Sequence, residues 1–168
     1  MIIRKATQED REALCRIQTQ AIRKAATSHY SREQIEAWSG GLTPEYYSEP
    51  VEHSIVFVAE DTDGTVVGFA RLVEESGEVA AIYVDPDHTG HGIGRQLIEA
   101  LEEEARRVGV RELNVKASLN AVAFYERVGF KFEREALHRF RSGVEIPCVI
   151  MKKPLLRGKT RMNVDESD

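Results

Sequence analysis

At 168 residues, 42% of them hydrophobic, the chain is long enough to bury one core and short for two. A formal net charge of −5, from 28 acidic against 23 basic side chains, argues against a nucleic-acid partner held by phosphate contacts. No apolar run approaches the roughly 20 residues that span a bilayer, and Met1-Ile2-Ile3-Arg4-Lys5 opens no signal-peptide core, so no membrane partner is expected. Cys15 and Cys148 stand far apart and in no metal-ligand spacing. They read as buried free thiols in a reducing compartment, which points to the cytoplasm.

Residues 1–5 read as a first strand. Thr7 and Asp10 resemble a helix cap and its partner, opening a helix with Leu14, Ile17, Ala21, Ile22 and Ala25 on one face. Ser31 and Gln34 form a capping box for a short second helix carrying Ile35 and Trp38, ended by Gly40-Gly41. Thr43-Pro44 adds a cap and a first-turn proline, enough for one more turn.

From residue 55 the apolar period shortens. Residues 55–59 are β-formers, 61–64 a turn, and 66–73 the returning strand of a hairpin. Residues 78–84 form another strand, closed by Asp85-Pro86. A helix follows over 90–108, with Ile93, Leu97, Leu101, Ala105 and Val108 at steps of three and four. Its outer face is expected to pair Glu102 with Arg106 and Glu103 with Arg107. A strand at 111–117, a helix at 120–128 and strands at 130–140 and 144–153 complete the order; Pro147 in the last one predicts a bulge or an edge. Residues 157–168 are polar and lack apolar spacing, and read as a flexible tail after a single domain of residues 1–156. The result is a mixed α/β sheet with a β-helix-β unit at its centre.

The stretch Asp85-Pro86-Asp87-His88-Thr89-Gly90-His91-Gly92-Ile93-Gly94-Arg95 turns out of a strand and opens a helix on alternating glycines. Such a loop lets backbone approach a ligand closely, and it aims the free N–H groups of a helix's first turn, at the positive end of its dipole, toward an anion. It reads as a pyrophosphate cradle. A dinucleotide fingerprint fails, because Arg95 stands where its third glycine belongs, and no G-K-[ST] closes a phosphate-binding loop.

This loop resembles the acetyl-CoA signature of the GNAT superfamily of N-acetyltransferases, V-x-P-x-x-[QR]-x-x-G-x-[GA]. The segment Ser118 to Phe130 is similar to the same family's N-x-x-A-x-x-[FL]-Y-E-x-x-G-F, and the element order also matches. The resemblance implies a GNAT-like, mostly antiparallel sheet with splayed central parallel strands, and an enzyme that moves acetyl from acetyl-CoA to a primary amine of a small molecule or peptide. The attack is direct, in a ternary complex without a metal, and members often pair as homodimers through C-terminal strands. Two motif positions depart from the family. Thr89 replaces its glutamine or arginine, with His91 and Arg95 offering positive charge nearby. Ser118 replaces its asparagine, with Asn120 two residues on, and either could bond the cofactor.

Carried onto this chain, the cofactor's arm pairs with the backbone of Ile82, Tyr83 and Val84, and its phosphates lie on Thr89, Gly90, His91, Gly92, Ile93, Gly94 and Arg95. Tyr125 is the expected acid for the departing thiolate, since a phenol keeps its proton at neutral pH. Glu78 falls where some members place a basic glutamate; by a period of two it shares a face with Ala80, Ile82 and Val84. A water is the alternative base. His29, Tyr30 and Trp38 fall on the helix pair that walls the acceptor pocket, and His138 and Arg139 are within reach of it. A non-catalytic acyl-CoA-binding module, or a different acyl donor or acceptor, are the competing readings.

Overall fold

The computed structural model describes residues 1–156; the polar tail expected at 157–168 lies outside the described residues. Seven strands form one sheet: β1 Ile2–Lys5, β2 Ile55–Glu60, β3 Val66–Val73, β4 Glu78–Val84, β5 Glu112–Ser118, β6 Lys131–Arg139 and β7 Glu145–Pro154. Their order is β1-β2-β3-β4-β5-β7-β6, antiparallel except at β4 and β5. No described helix is long and apolar enough to cross a membrane.

Helices α1 Arg11–Ala25, α2 Arg32–Ser39 and α3 Ser48–His53 precede β2; α4 Ile93–Arg107 joins β4 to β5, and α5 Val122–Arg127 joins β5 to β6. Helix α4 lies across one face. Its stripe of Ile93, Leu97, Ile98, Leu101 and Ala105 is buried against Val67, Ala70, Leu72, Val79 and Val115. Full burial of each large aliphatic contributes about 1.5–3 kcal/mol. The helix has no side-chain N-cap, a device worth about 1 kcal/mol, so packing holds it in place. Helix α1 covers the opposite face with Leu14 and Ile17 over Val56, Val58 and Phe69.

Three details differ from the sequence expectations. The turn expected after Thr43-Pro44 is a 3-10 helix at Pro44–Tyr47 that runs directly into α3, an element not expected; Pro50 sits in the first turn of α3, where a missing N–H costs no helical bond. Helix α4 begins at Ile93, since Gly90 and Gly92 have φ of +83° and +77°. Glu102 forms its expected pair with Arg106, at 3.9 Å, but is buried rather than outward: Lys153 Nζ of β7 donates to it at 2.6 Å and to the Val128 carbonyl at 2.7 Å. Arg107 then pairs with Glu104 at 2.7 Å, leaving the Glu103 pairing unformed.

Pro147 lies inside the sheet, one residue past the last β5 partner, Cys148. The β5 ladder has ended there, so the absent N–H interrupts nothing. Cys148 is buried and Cys15 half-buried, and both are free thiols.

Candidate active site

The central parallel pair meets at a single position, Glu78 opposite Asn114. Beyond it β4 and β5 diverge, and the β5-facing edge of β4 has no ladder partner as far as Val84. A cavity of about 400 Å³ fills the α4 side of this gap, lined by Ile82, Val84, the loop from His88 to Arg95, and the first turns of the Asn120–Val128 segment.

Asp85 sets the loop at its base. Its N–H donates to the Val67 carbonyl at 2.8 Å and its Oδ1 accepts from the Asp87 N–H at 2.9 Å, while Arg16 of α1 reaches its other oxygen at 3.3 Å. The chain then passes through left-handed turns at Gly90 and Gly92. Among the described residues, the N–H groups of residues 90–95 have no acceptor, so six consecutive donors line one stretch of backbone. A Cβ on Gly92 would meet nothing within 4 Å, whereas one on Gly94 would stand 2.9 Å from the Phe124 ring. The first glycine is needed for its backbone shape and the second for close packing of α4 on α5.

This cradle fits the diphosphate of coenzyme A, and a second observation agrees. The Asn120 side-chain oxygen is buried and, among the described residues, has no hydrogen-bond partner. It caps no helix; it faces the cavity and suits an amide N–H of a bound arm. Ser118 does not line the cavity. His91 does not either: its side chain is exposed, with Nδ1 donating to the His88 carbonyl at 3.1 Å, and only its backbone N–H joins the donor row. Thr89 and Arg95 line the wall. So do His88, Phe124 and Arg127, which sequence reasoning passed over because only proximity in space marks them.

Tyr125 is 5% exposed and enters the cavity from α5, between the edges of Phe124 and Phe130. Its hydroxyl has no hydrogen-bond partner among the described residues. Burial pushes its phenol well above the ordinary tyrosine range, with Tyr83 adding to the effect. Tyr83 lies on the other side of the sheet, tilted against Phe69 with ring centroids 5.7 Å apart. Burial pushes it up as well, against a smaller pull from the adjacent Trp38 indole.

Glu78 does not share a face with Ile82 and Val84. Arg71 pairs with Ala81 but Leu72 pairs with Val79, so Ala80 is an extra residue and β4 bulges there. Val79, Ile82 and Val84 accordingly pack on the α4 side, while Ala81 and Tyr83 pack under α1. Glu78, next to Val79, projects toward the α1 side, half-buried. His138 of β6, edge-on to Phe140, stands on this side too. Burial and then Lys116 push its imidazole below the usual histidine range, with Glu78 pulling the other way. Arg139 is exposed.

The expected acceptor wall divides. His29 is exposed, with Nδ1 2.7 Å from Ser28 Oγ. Tyr30 is buried, and its hydroxyl donates to the Pro147 carbonyl at 2.6 Å while accepting from the Leu119 N–H at 2.9 Å. With both bonding roles used inside the fold, it offers no polar atom to a ligand. Trp38, edge-on to Tyr30 at 5.6 Å, is the member of the three that stands beside Tyr83.

A splayed parallel pair, an amide-lined loop and a tyrosine at the gap define a coenzyme A-dependent acyltransferase. The chain belongs to the GNAT family: the family described as "Acetyltransferase (GNAT) domain" matches residues 26–153. It is 33% identical over 122 residues to the uncharacterized N-acetyltransferase YafP of Escherichia coli, covering 73% of this chain and 75% of that one. It is 27% identical to the spermidine N(1)-acetyltransferase of Thermoplasma acidophilum, covering 78% and 88%. The fold is similar to the crystal structure of the PaiA N-acetyltransferase of Thermoplasma acidophilum in complex with coenzyme A, at a TM-score of 0.75, 25% identity and coverage of 91% and 98%. The chain is an acetyl-CoA-dependent N-acetyltransferase.

Proposed function

We propose that the chain transfers acetyl from acetyl-CoA to a primary amine by direct attack, with donor and acceptor entering the β4–β5 gap from opposite faces. The divergence of these strands after Glu78 carries this reading, because it opens one unpaired backbone edge to both faces at once. Bound acetyl-CoA supplies a thioester whose carbonyl carbon the amine attacks.

The N–H groups of residues 90–95 hold the diphosphate, with Thr89 and Arg95 beside it, and the open-edge backbone groups of Ile82 and Val84, on either side of Tyr83, hydrogen-bond the arm together with Asn120. The Val84 backbone N–H, which points into the gap while that of Tyr83 faces β3, stabilises the charge that develops on the carbonyl oxygen. Tyr125 donates toward the departing sulfur. Its phenol is a weak acid in this buried site, so it shares its proton in a hydrogen bond as charge develops and releases it late. Glu78, on the acceptor side, takes the amine's proton directly or through a water. The two free cysteines are compatible with a cytoplasmic setting.

The test is a panel of amino acids, polyamines, aminoglycosides and lysine peptides incubated with the full chain and acetyl-CoA. One thiol released per acetylated amine is expected. Tight acetyl-CoA binding with no transfer to any acceptor would leave a binding module, and a preference for longer acyl donors or hydroxyl acceptors would redirect the reading.

A further inference from the structure

Arg71 projects from β3 onto the acceptor side of the sheet, opposite Ala81 at the bulge. Its Nε donates to Ser54 Oγ at 3.1 Å; among the described residues its two terminal nitrogens have neither a hydrogen bond nor a carboxylate partner. A half-buried guanidinium without an anion is costly to maintain for structure alone. It lines a small opening of about 30 Å³ shared with Gln18, Tyr46 and Ala80, room for a group the size of one or two waters.

The polar groups around that opening are mainly donors. The Tyr47 hydroxyl donates to Gln18 Oε1 at 2.7 Å, which leaves the Gln18 NH₂ free, and burial pushes the Tyr47 phenol up so that it keeps that proton. Among the described residues, no acidic side chain lines the opening. What fits two N–H donor groups and a small volume is a compact anion with several acceptor lone pairs, for which a guanidinium fork is suited. Glu78 lies on the same side, two ladder positions away on the neighbouring strand, a diagonal separation of roughly 7 Å. One carboxylate and one guanidinium at that spacing match the two ends of a small zwitterion.

We propose that Arg71 and Gln18 form a carboxylate subsite, so that the acceptor is a small amino acid whose amine faces Glu78 and the gap. The inference rests on the acetyltransfer reading above and narrows its substrate class away from polyamines, which carry no anion for Arg71.

Two measurements test it. In turnover, the common α-amino acids, β-alanine and γ-aminobutyrate are compared with their amides and with spermidine. The best amino acid should exceed its own amide in kcat/KM by about 10- to 100-fold, the size of a lost hydrogen bond to a charged group. Arg71→Met should raise the amino-acid KM by a similar factor with the KM for acetyl-CoA unchanged, and Arg71→Lys should restore part of it. Amides or spermidine acetylated as well as amino acids would overturn the subsite while leaving the enzyme an N-acetyltransferase. The second measurement needs no turnover: calorimetry of N-acetylglycine and N-acetylglycinamide on the coenzyme A-loaded chain. Binding of the acid alone, lost in Arg71→Met, supports the subsite even if no acceptor is acetylated; equal binding of both, or of neither, overturns it.

Discussion

The Tyr30 hydroxyl donates at 2.6 Å to the Pro147 carbonyl, 117 residues away in sequence, and accepts at 2.9 Å from the N–H of Leu119, the residue just past β5. Tyr30→Phe keeps the ring against Trp38 and leaves both the Pro147 carbonyl and the Leu119 N–H without their partner. The expected loss is about 1–3 kcal/mol, read as a lower urea midpoint with an unchanged slope. A midpoint equal to the parent's would mean that water replaces the hydroxyl without cost.

Gly92→Val forces a β-branched residue into a backbone at φ of +77°. Nothing crowds a Cβ there, so the fold should persist while the loop relaxes out of its donor-aligned shape. Calorimetry should show acetyl-CoA affinity reduced by at least about tenfold, more than 1.4 kcal/mol, in a chain with a near-normal melting transition. Full affinity would remove the loop from the cofactor site.

Tyr125→Phe removes the proton that Tyr125 is proposed to offer the leaving sulfur and little else, since the hydroxyl bonds no described residue. It should lower kcat by about 10²- to 10⁴-fold with acetyl-CoA affinity retained. A kcat within about twofold of the parent would make Tyr125 a packing residue of α5.

Glu78→Gln keeps the shape of the β4 edge and deletes the carboxylate. Loss of kcat/KM together with the acidic limb of its pH profile is expected if Glu78 receives the amine's proton. An unchanged profile would transfer that role to ordered water or to His138.

Asp10 accepts two hydrogen bonds from Arg4 at 2.9 Å and one from the Thr7 N–H at 2.7 Å. The Arg4 bonds, against opposing burial, hold its carboxyl below the usual carboxylate range. A depressed folded value means that this contribution is complete above the unfolded value, about 3.9, and vanishes as pH falls through the folded one. Urea midpoints measured from pH 7 into the acid range below the unfolded value should therefore draw together for the parent and Asp10→Asn. Parallel curves would show that Arg4 and Asp10 add no pH-dependent stability.

Local signals gave most of the elements. The step of three and four in α4 is legible because one helix face meets one core, and the loop from Asp85 to Arg95 is legible because its glycines lie in a row. Long-range relations were hidden. Nothing local inserts β7 between β5 and β6, and nothing in Tyr30 announces partners near residues 119 and 147. Nothing local marks Arg71, since the missing carboxylate is visible only in space. Glu78 is expected on the wrong face, because a period of two assumes no extra residue.

That extra residue, Ala80, works as a phase shift in the strand. Positions before it and after it obey opposite parity, so one continuous strand turns the Glu78 carboxylate toward α1 at one end and an apolar lining toward the cavity at the other. Deleting a single alanine would bring the two halves back into phase. With Ile82 and Val84 kept in place, Glu78 would swing into the core beneath α4; with Glu78 kept, the cofactor's wall would turn over. The division of labour between the two faces thus depends less on which residues β4 contains than on their count.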